Sequence, residues 1–156
     1  EDHPAYAAMQ NAAEILNKQG FDITVTKDSQ ALRKLTSGGL QVWAAAWSST
    51  IDPDMYQVYH SRNAHGKNTN SNHYQIDDAN LDELIIAARK SSDTDFRKAT
   101  YKSAMEIILD WGVELPVYQR SNATIFSSER LVVDSIPKDM TPYWTFLAEI
   151  DQIQVK

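Results

Sequence analysis

The sequence predicts an α/β fold, in which a mixed sheet is flanked by helices. Between residues 5 and 47, stretches with the apolar spacing of a helix alternate with stretches that resemble strands. Residues 40–47, LQVWAAAW, contain a single polar side chain, that of Gln41, which is typical of a parallel strand covered on both faces. The chain has 156 residues, enough for one domain with a core of its own.

Composition and charge exclude several classes of protein. The net charge of −6 argues against a surface for nucleic acid or anionic lipid, because both partners require clustered lysine and arginine. No apolar run approaches the eighteen residues that would cross a bilayer. The absence of cysteine excludes disulfides, thiolate metal ligands and a cysteine nucleophile.

The first forty residues contain two predicted helices and one strand. The first helix has a stripe of apolar residues at helical spacing and ends at Gly20. Residues 21–26 alternate between apolar and polar side chains, as in a strand with one buried face. A second short helix closes at Gly38 and Gly39. The apolar stripes of these helices comprise Tyr6, Met9, Ala12, Ala13 and Leu16, and then Ala31, Leu32 and Leu35.

The stretch from residue 40 to residue 62 combines the predicted buried strand with a polar loop. Three small hydroxylated residues follow the strand, and Asp52-Pro53-Asp54 then leads into an amphipathic run that reads as a helix. The loop at the carboxyl end of a strand is where open α/β sheets usually bind ligands. The sequence therefore predicts a ligand loop directly after Trp47.

Residues 61–75 form a polar, asparagine-rich loop, and two helices follow it. Asp77 and Asp78 are placed to cap the first helix, and Ser92 with Asp95 resembles a capping box for the second. Gly112 ends that helix, and Arg97 is expected on its solvent face. The predicted strands of the remaining chain are 113–119, 123–126, 131–133 and 150–155.

In order, these segments resemble the carboxyl-terminal lobe of family 5 extracellular solute-binding proteins, the oligopeptide and dipeptide receptors of bacterial ABC importers. The matching pieces are AWSSTIDPDMYQVYHS, NSNHY, DELIIAARKSSDTDFRKATYKSAMEIILD and ELPVYQRSNATIFS, which lie within residues 5–130. The resemblance implies one lobe of a type II periplasmic-binding-protein (Venus-flytrap) fold. Residues 1–156 would then be a single domain and a fragment of a longer, two-lobed protein.

The same resemblance implies a function. Such a protein captures a peptide outside the membrane and delivers it to a permease, so the expected partners are a peptide, the permease and the missing amino-terminal lobe. No enzyme activity, cofactor, metal or nucleic acid is expected. The implied location is extracytoplasmic, either in the periplasm or lipid-anchored to the outer face of the cell membrane.

Six residues are the implied ligand-binding set. Trp47 matches the tryptophan that walls a pocket in many members, and Tyr118 falls in the strand that borders the cleft. Thr50 stands where the family often has an aspartate for the ligand's ammonium group, so Asp52 is the alternative acid. Asp52 also suits a plain helix cap before Pro53, and both interpretations stay open. The remaining members of the set are Ser48 and Ser49.

Two hypotheses from other classes compete with peptide binding. The first is a small hydrolase or metal-binding domain that uses Asp52, His60, His65 and His73, although the histidine spacing fits no common motif. The second is an interaction domain with no small ligand. Convergence of the three histidines would favour the metal site, whereas a flat surface beyond Trp47 would favour the interaction domain.

Overall fold

The computed structural model describes residues 3–48, 50–119, 121 and 123–156. The chain divides into two compact units, Glu1–Leu115 and Pro116–Lys156. Within the described residues, no helix is long and apolar enough to span a bilayer.

The first unit consists of helices joined by long irregular segments. Its core lies where α4 and α5 pack against each other, because both helices turn a strip of aliphatic side chains inward. The fully buried side chains of this core include Leu81 and Ile85 of α4 and Ala104 of α5. The helices are α1 (Pro4–Asn17), α2 (Ala31–Thr36), α3 (Tyr56–Tyr59), α4 (Ala79–Lys90) and α5 (Thr94–Trp111), with a 3-10 turn at Ser61–Asn63.

The ends of the two long helices follow local side-chain chemistry. Asp78 caps α4 by accepting hydrogen bonds from the amides of Asn80 and Leu81, which confirms one of the predicted caps. The predicted capping box at Ser92 is wrong by one residue, because Asp93 accepts the amides at the start of α5. Gly112 ends α5 at φ +61°, as predicted, in the left-handed region that glycine adopts without strain.

The predicted mixed sheet is wrong, and with it the periplasmic-binding-protein lobe. Helices account for 44% of the chain, strand or bridge residues for 3%, and no sheet is present among the described residues. Residues 21–26 alternate as predicted, yet they pair with no strand. The side-chain amide of Asn17 instead accepts from the Ile23 amide at 2.8 Å and donates to its carbonyl at 2.9 Å. A helix side chain therefore satisfies the groups that a neighbouring strand would bind.

Residues 40–47 do not form the predicted buried strand either. Val42 is 90% exposed, all three alanines that follow are exposed, and only Leu40 and Trp43 are partly covered. An apolar run becomes a buried parallel strand only when helices cover both of its faces. In this structure the core forms between α4 and α5, which bury their apolar faces against each other.

The second unit contains two 3-10 helices, Val133–Ser135 and Phe146–Gln152, and little regular structure. The predicted strands 131–133 and 150–155 are wrong, because Val133 begins one 3-10 helix and residues 150–152 end the other. An isolated antiparallel bridge joins Leu131 to Val155. Hydrogen bonds of 2.9 Å from the Val132 amide to the Gln154 carbonyl, and from the Lys156 amide to the Arg130 carbonyl, hold this contact. Neither predicted strand at 113–119 or 123–126 is present among the described residues of those segments.

Candidate functional site

Five aromatic rings from three segments of the first unit form a stacked group, the aromatic cluster (Trp43, Trp47, Tyr59, His73 and Tyr74). Trp43 and Tyr59 both stack with Tyr74, with ring centroids 6.0 Å and 5.7 Å apart. Trp47 stacks with His73 at 5.7 Å and an interplanar angle of 18°. Such offset stacking is a favourable arrangement of π systems and fixes the plane of each ring.

Asn72 holds His73 and Tyr74 in place for this stacking. Its side-chain amide is completely buried and donates to the carbonyls of Tyr59, His60 and Ile76 at 2.9–3.3 Å. Its carboxamide oxygen accepts from the Ile76 amide, and its own amide donates to the Asn63 carbonyl. The asparagine-rich loop is therefore ordered by hydrogen bonds, because a buried amide must satisfy nearly all of its polar atoms.

A hydrogen-bond network lies at the hydroxyl edge of the cluster. The Tyr59 hydroxyl donates to Glu114 Oε2 at 2.6 Å, and burial together with this carboxylate raises the pKa of Tyr59 far above its ordinary value. Burial also raises the pKa of Tyr74 to about 12. Both phenols are therefore protonated at neutral pH, and the Tyr59 hydroxyl is the donor that Glu114 accepts.

Trp47, one of the predicted site residues, has an aromatic ring that is both exposed and held in place. Its side chain is 48% exposed while one ring face is held against His73. Burial lowers the pKa of His73 below its ordinary value, which keeps this imidazole neutral near pH 7. Trp43 is partly buried and stacks on Tyr74.

Asp52 is neither a cap nor a free acid. Helix α3 begins at Tyr56 instead of at Pro53, and the Tyr56 amide donates to Asp54 Oδ1 at 3.0 Å. The carboxylate of Asp52 pairs with the Arg97 guanidinium at 2.8 Å, which raises the pKa of Arg97. Its charge is thus already compensated by a side chain that was expected to face solvent.

Two arginines tie the segment that carries Trp47, residues 40–54 (the Trp47 segment), to the long helices. Arg97 of α5 also donates to the Pro53 carbonyl at 3.0 Å. Arg89 of α4 pairs with Asp54 at 3.3 Å and covers the Tyr56 ring at 4.3 Å, a cation–π distance. The Trp47 segment is therefore fixed at its carboxyl end by charge and at its centre by stacking.

The remaining predicted site residues have separate surroundings. Thr50 Oγ1 donates to the Asp52 carbonyl at 2.5 Å, a local turn contact. Ser48 is exposed, and Ser49 lies outside the described residues. Tyr118 is 51% exposed and belongs to the second unit.

The histidines of the competing metal hypothesis have different surroundings. His60 lies 3.2 Å from Asp82 Oδ1, His65 lies beside Gly38, and His73 stacks on Trp47. No group of three histidine, aspartate or glutamate side chains in the described part of the chain could hold a metal ion. The Ser61 hydroxyl donates to Asp82, so it is not bonded to a histidine base.

Two shallow depressions lie elsewhere on the first unit. One, of 430 Å³, is lined by His60, Asp82, Glu83, Ile86, Ala87 and Lys90. The other, of 480 Å³, is lined by Asp78, Asn80, Ile107, Asp110 and Trp111. Neither is lined by Trp47 or Asp52.

No family model, curated protein or solved structure matches the chain. The candidate site is therefore defined by its own geometry. Sequence reasoning missed Tyr59, Tyr74, Glu114 and Arg97. Tyr59 and Arg97 lie within α3 and α5, whereas Tyr74 precedes α4 and Glu114 follows α5.

Proposed function

We propose that this chain is part of the substrate-binding component of an ABC importer and that it contacts a peptide outside the membrane through Trp47. The observation that supports the proposal is the half-exposed indole of Trp47, held rigidly by His73 in the aromatic cluster. Exposed, pre-positioned aromatic rings are typical anchors of binding surfaces, because they bury much apolar area with little loss of conformational entropy. The sequence resemblance supplies the class of ligand.

In this proposal Trp47 covers an apolar part of the peptide, and Asp52 positions the Trp47 segment. The ion pair with Arg97 occupies the Asp52 carboxylate, so Asp52 does not bind the ammonium group of the ligand. Ligand preference should consequently be unchanged in Asp52→Asn. The aromatic surface is open on one side, and small-ligand affinity depends on enclosure. Binding by the 156-residue chain should therefore be weak.

The test is a titration of the chain with short peptides, followed by the indole N–H resonances of its four tryptophans in NMR spectra. We expect the Trp47 signal to shift with a dissociation constant of about 0.1–1 mM, as for a few kcal/mol of unenclosed contact. Trp47→Ala should abolish the shifts of neighbouring residues. Trp111→Phe is the matched control, because Trp111 is 44% exposed in the same unit.

Two outcomes would contradict the proposal. One is the absence of any Trp47 shift with a diverse peptide library, together with no peptide retained in native mass spectra of the protein isolated from its source. The other is equal loss of binding in Trp47→Ala and Trp111→Phe, which would indicate a general loss of structure.

A further inference from the structure

The backbone of residues 40–48 has hydrogen-bonding groups that other parts of the chain do not use. Within the described residues, none of these amides donates a hydrogen bond and none of these carbonyls accepts one. Residues 43–48 contain no helix, turn or bend. Trp43 and Trp47 stack on the consecutive residues Tyr74 and His73, as two side chains on one face of a strand would. The segment is therefore a strand edge without a partner, and such edges pair with other chains.

The same segment is the uncharged part of an acidic molecule. No charged residue lies between Lys34 and Asp52, whereas the chain carries a net charge of −6. Val42 is 90% exposed, and residues 44–46 are exposed as well. Copies of one acidic protein repel each other through their net charge. The uncharged segment is consequently a surface on which two copies meet with the least repulsion.

The sequence of the segment is symmetric about Ala45. Residues 43–47, Trp-Ala-Ala-Ala-Trp, read the same in both directions. Two identical antiparallel strands are related by a two-fold axis, so each strand meets its own sequence in reverse. With Ala45 on the axis, Trp43 of each copy lies opposite Trp47 of the other, and alanine lies opposite alanine between them. Aromatic pairs across two strands stabilise their pairing. The symmetry therefore favours a second copy of this chain over an unrelated segment.

We propose that residues 43–47 of two copies pair as antiparallel strands centred on Ala45 and form a symmetric dimer. The pairing uses the backbone groups that are unused in the single chain. It is about 17 Å long and buries less than the roughly 800 Å² per partner of a standard stable complex. The dimer is therefore weak, with a dissociation constant on the order of 0.1 mM. The inference does not rest on the proposed function.

The first test is sedimentation velocity of the full chain at concentrations from about 10 μM to about 1 mM. We expect the mean mass to rise from that of the monomer toward that of the dimer. Ala45→Lys and Ala45→Glu each place two like charges opposite each other on the axis, so each variant should stay monomeric. Ala7→Lys, at an exposed position on α1, is the matched control and should dimerise like the unmodified chain.

An equimolar mixture of Ala45→Lys and Ala45→Glu distinguishes paired strands from loose association. The charges that face each other across the axis are then opposite, so the mixture should dimerise at least as strongly as the unmodified chain. A monomer at every concentration of the unmodified chain would overturn the proposal. So would a mixture that stays monomeric.

Single cysteines test the register, since the chain has none of its own. Opposed residues of antiparallel strands have Cα atoms about 4.5–5.5 Å apart, a separation that a disulfide bridges. Ala45→Cys should therefore form a covalent dimer in oxidised glutathione. Ala44→Cys alone should not, because it lies opposite Ala46 of the other copy, but a mixture of Ala44→Cys and Ala46→Cys should. Equal cross-linking of Ala44→Cys and Ala45→Cys would contradict the pairing.

Discussion

Two neighbouring regions of the first unit are both rich in apolar residues, yet only one of them is buried. In residues 55–113, Ile76, Leu81 and Ile85 are completely covered. In the Trp47 segment, Val42 and Ile51 are 90% and 81% exposed. Helices satisfy their own backbone hydrogen bonds, so α4 and α5 need only face each other to make a core. An extended segment needs a neighbouring strand, which the described residues do not provide.

The two regions are therefore held by different forces. Residues 55–113 are stabilised by aliphatic burial and by the hydrogen bonds of Asn72. The Trp47 segment is attached by ring stacking and by its ion pairs with Arg89 and Arg97. Such attachments contribute less free energy than burial but fix the direction of side chains, which suits a surface that presents Trp47 to a ligand.

Truncation of an aliphatic side chain should give the largest difference in stability between the two regions. Leu81→Ala leaves a cavity at a fully buried site and should lower the free energy of unfolding by about 2–5 kcal/mol. Val42→Ala, at a 90% exposed site, should change it by no more than about 0.5 kcal/mol. Urea denaturation of both variants measures the difference. Equal losses would show that the Trp47 segment is buried in solution.

Substitution of Asn72, the buried side chain that orders the asparagine-rich loop, should have the second-largest effect on stability. Asn72→Ala leaves buried carbonyls of Tyr59, His60 and Ile76 without their donor, and we expect a loss of roughly 2–3 kcal/mol. Asn80→Ala, on the exposed surface of α4, is the matched control and should be nearly neutral. Denaturation curves give the free energies, and the Trp47 indole resonance should move only in Asn72→Ala. A neutral Asn72→Ala would contradict the anchoring role.

The ionic attachment should have the smallest effect on stability. Asp52 is 72% exposed at its side chain, so solvent screens its pairing with Arg97, and the coupling should be weak. A double-mutant cycle with Asp52→Asn and Arg97→Met measures this coupling. The coupling should diminish in 1 M salt, where charges on the surface are screened within about 3 Å. A coupling that is large and independent of salt would indicate a buried pair.

The helical part of the fold was largely predictable. Asp77 and Asp78 predicted the start of α4, and Gly112 predicted the end of α5. Helices are local, because their hydrogen bonds join residues four apart and their caps lie within one turn. The predicted strands are wrong because an alternation of apolar and polar residues identifies a face that prefers burial. It does not supply the partner strand that a sheet requires.

The candidate site was only partly predictable. Trp47 ends an apolar run and matches the pocket-wall tryptophan of the family that the chain resembles; its ring is half-exposed and stacks on His73. Arg97 was assigned to solvent because helical spacing alone cannot reveal an ion pair with a residue 45 positions earlier in the chain. No sequence pattern identified Glu114, since its hydrogen bond with Tyr59 joins residues 55 positions apart in the chain.

The sequence by itself determined the two long helices, the Asp78 cap of α4 and the glycine that ends α5. These features depend on residues close together in the chain. Only the tertiary structure decided that the Trp47 segment stays outside the core, that Arg97 neutralises Asp52, and that Glu114 meets Tyr59. Those contacts join distant residues, and their existence depends on which surfaces the packing of α4 and α5 leaves uncovered.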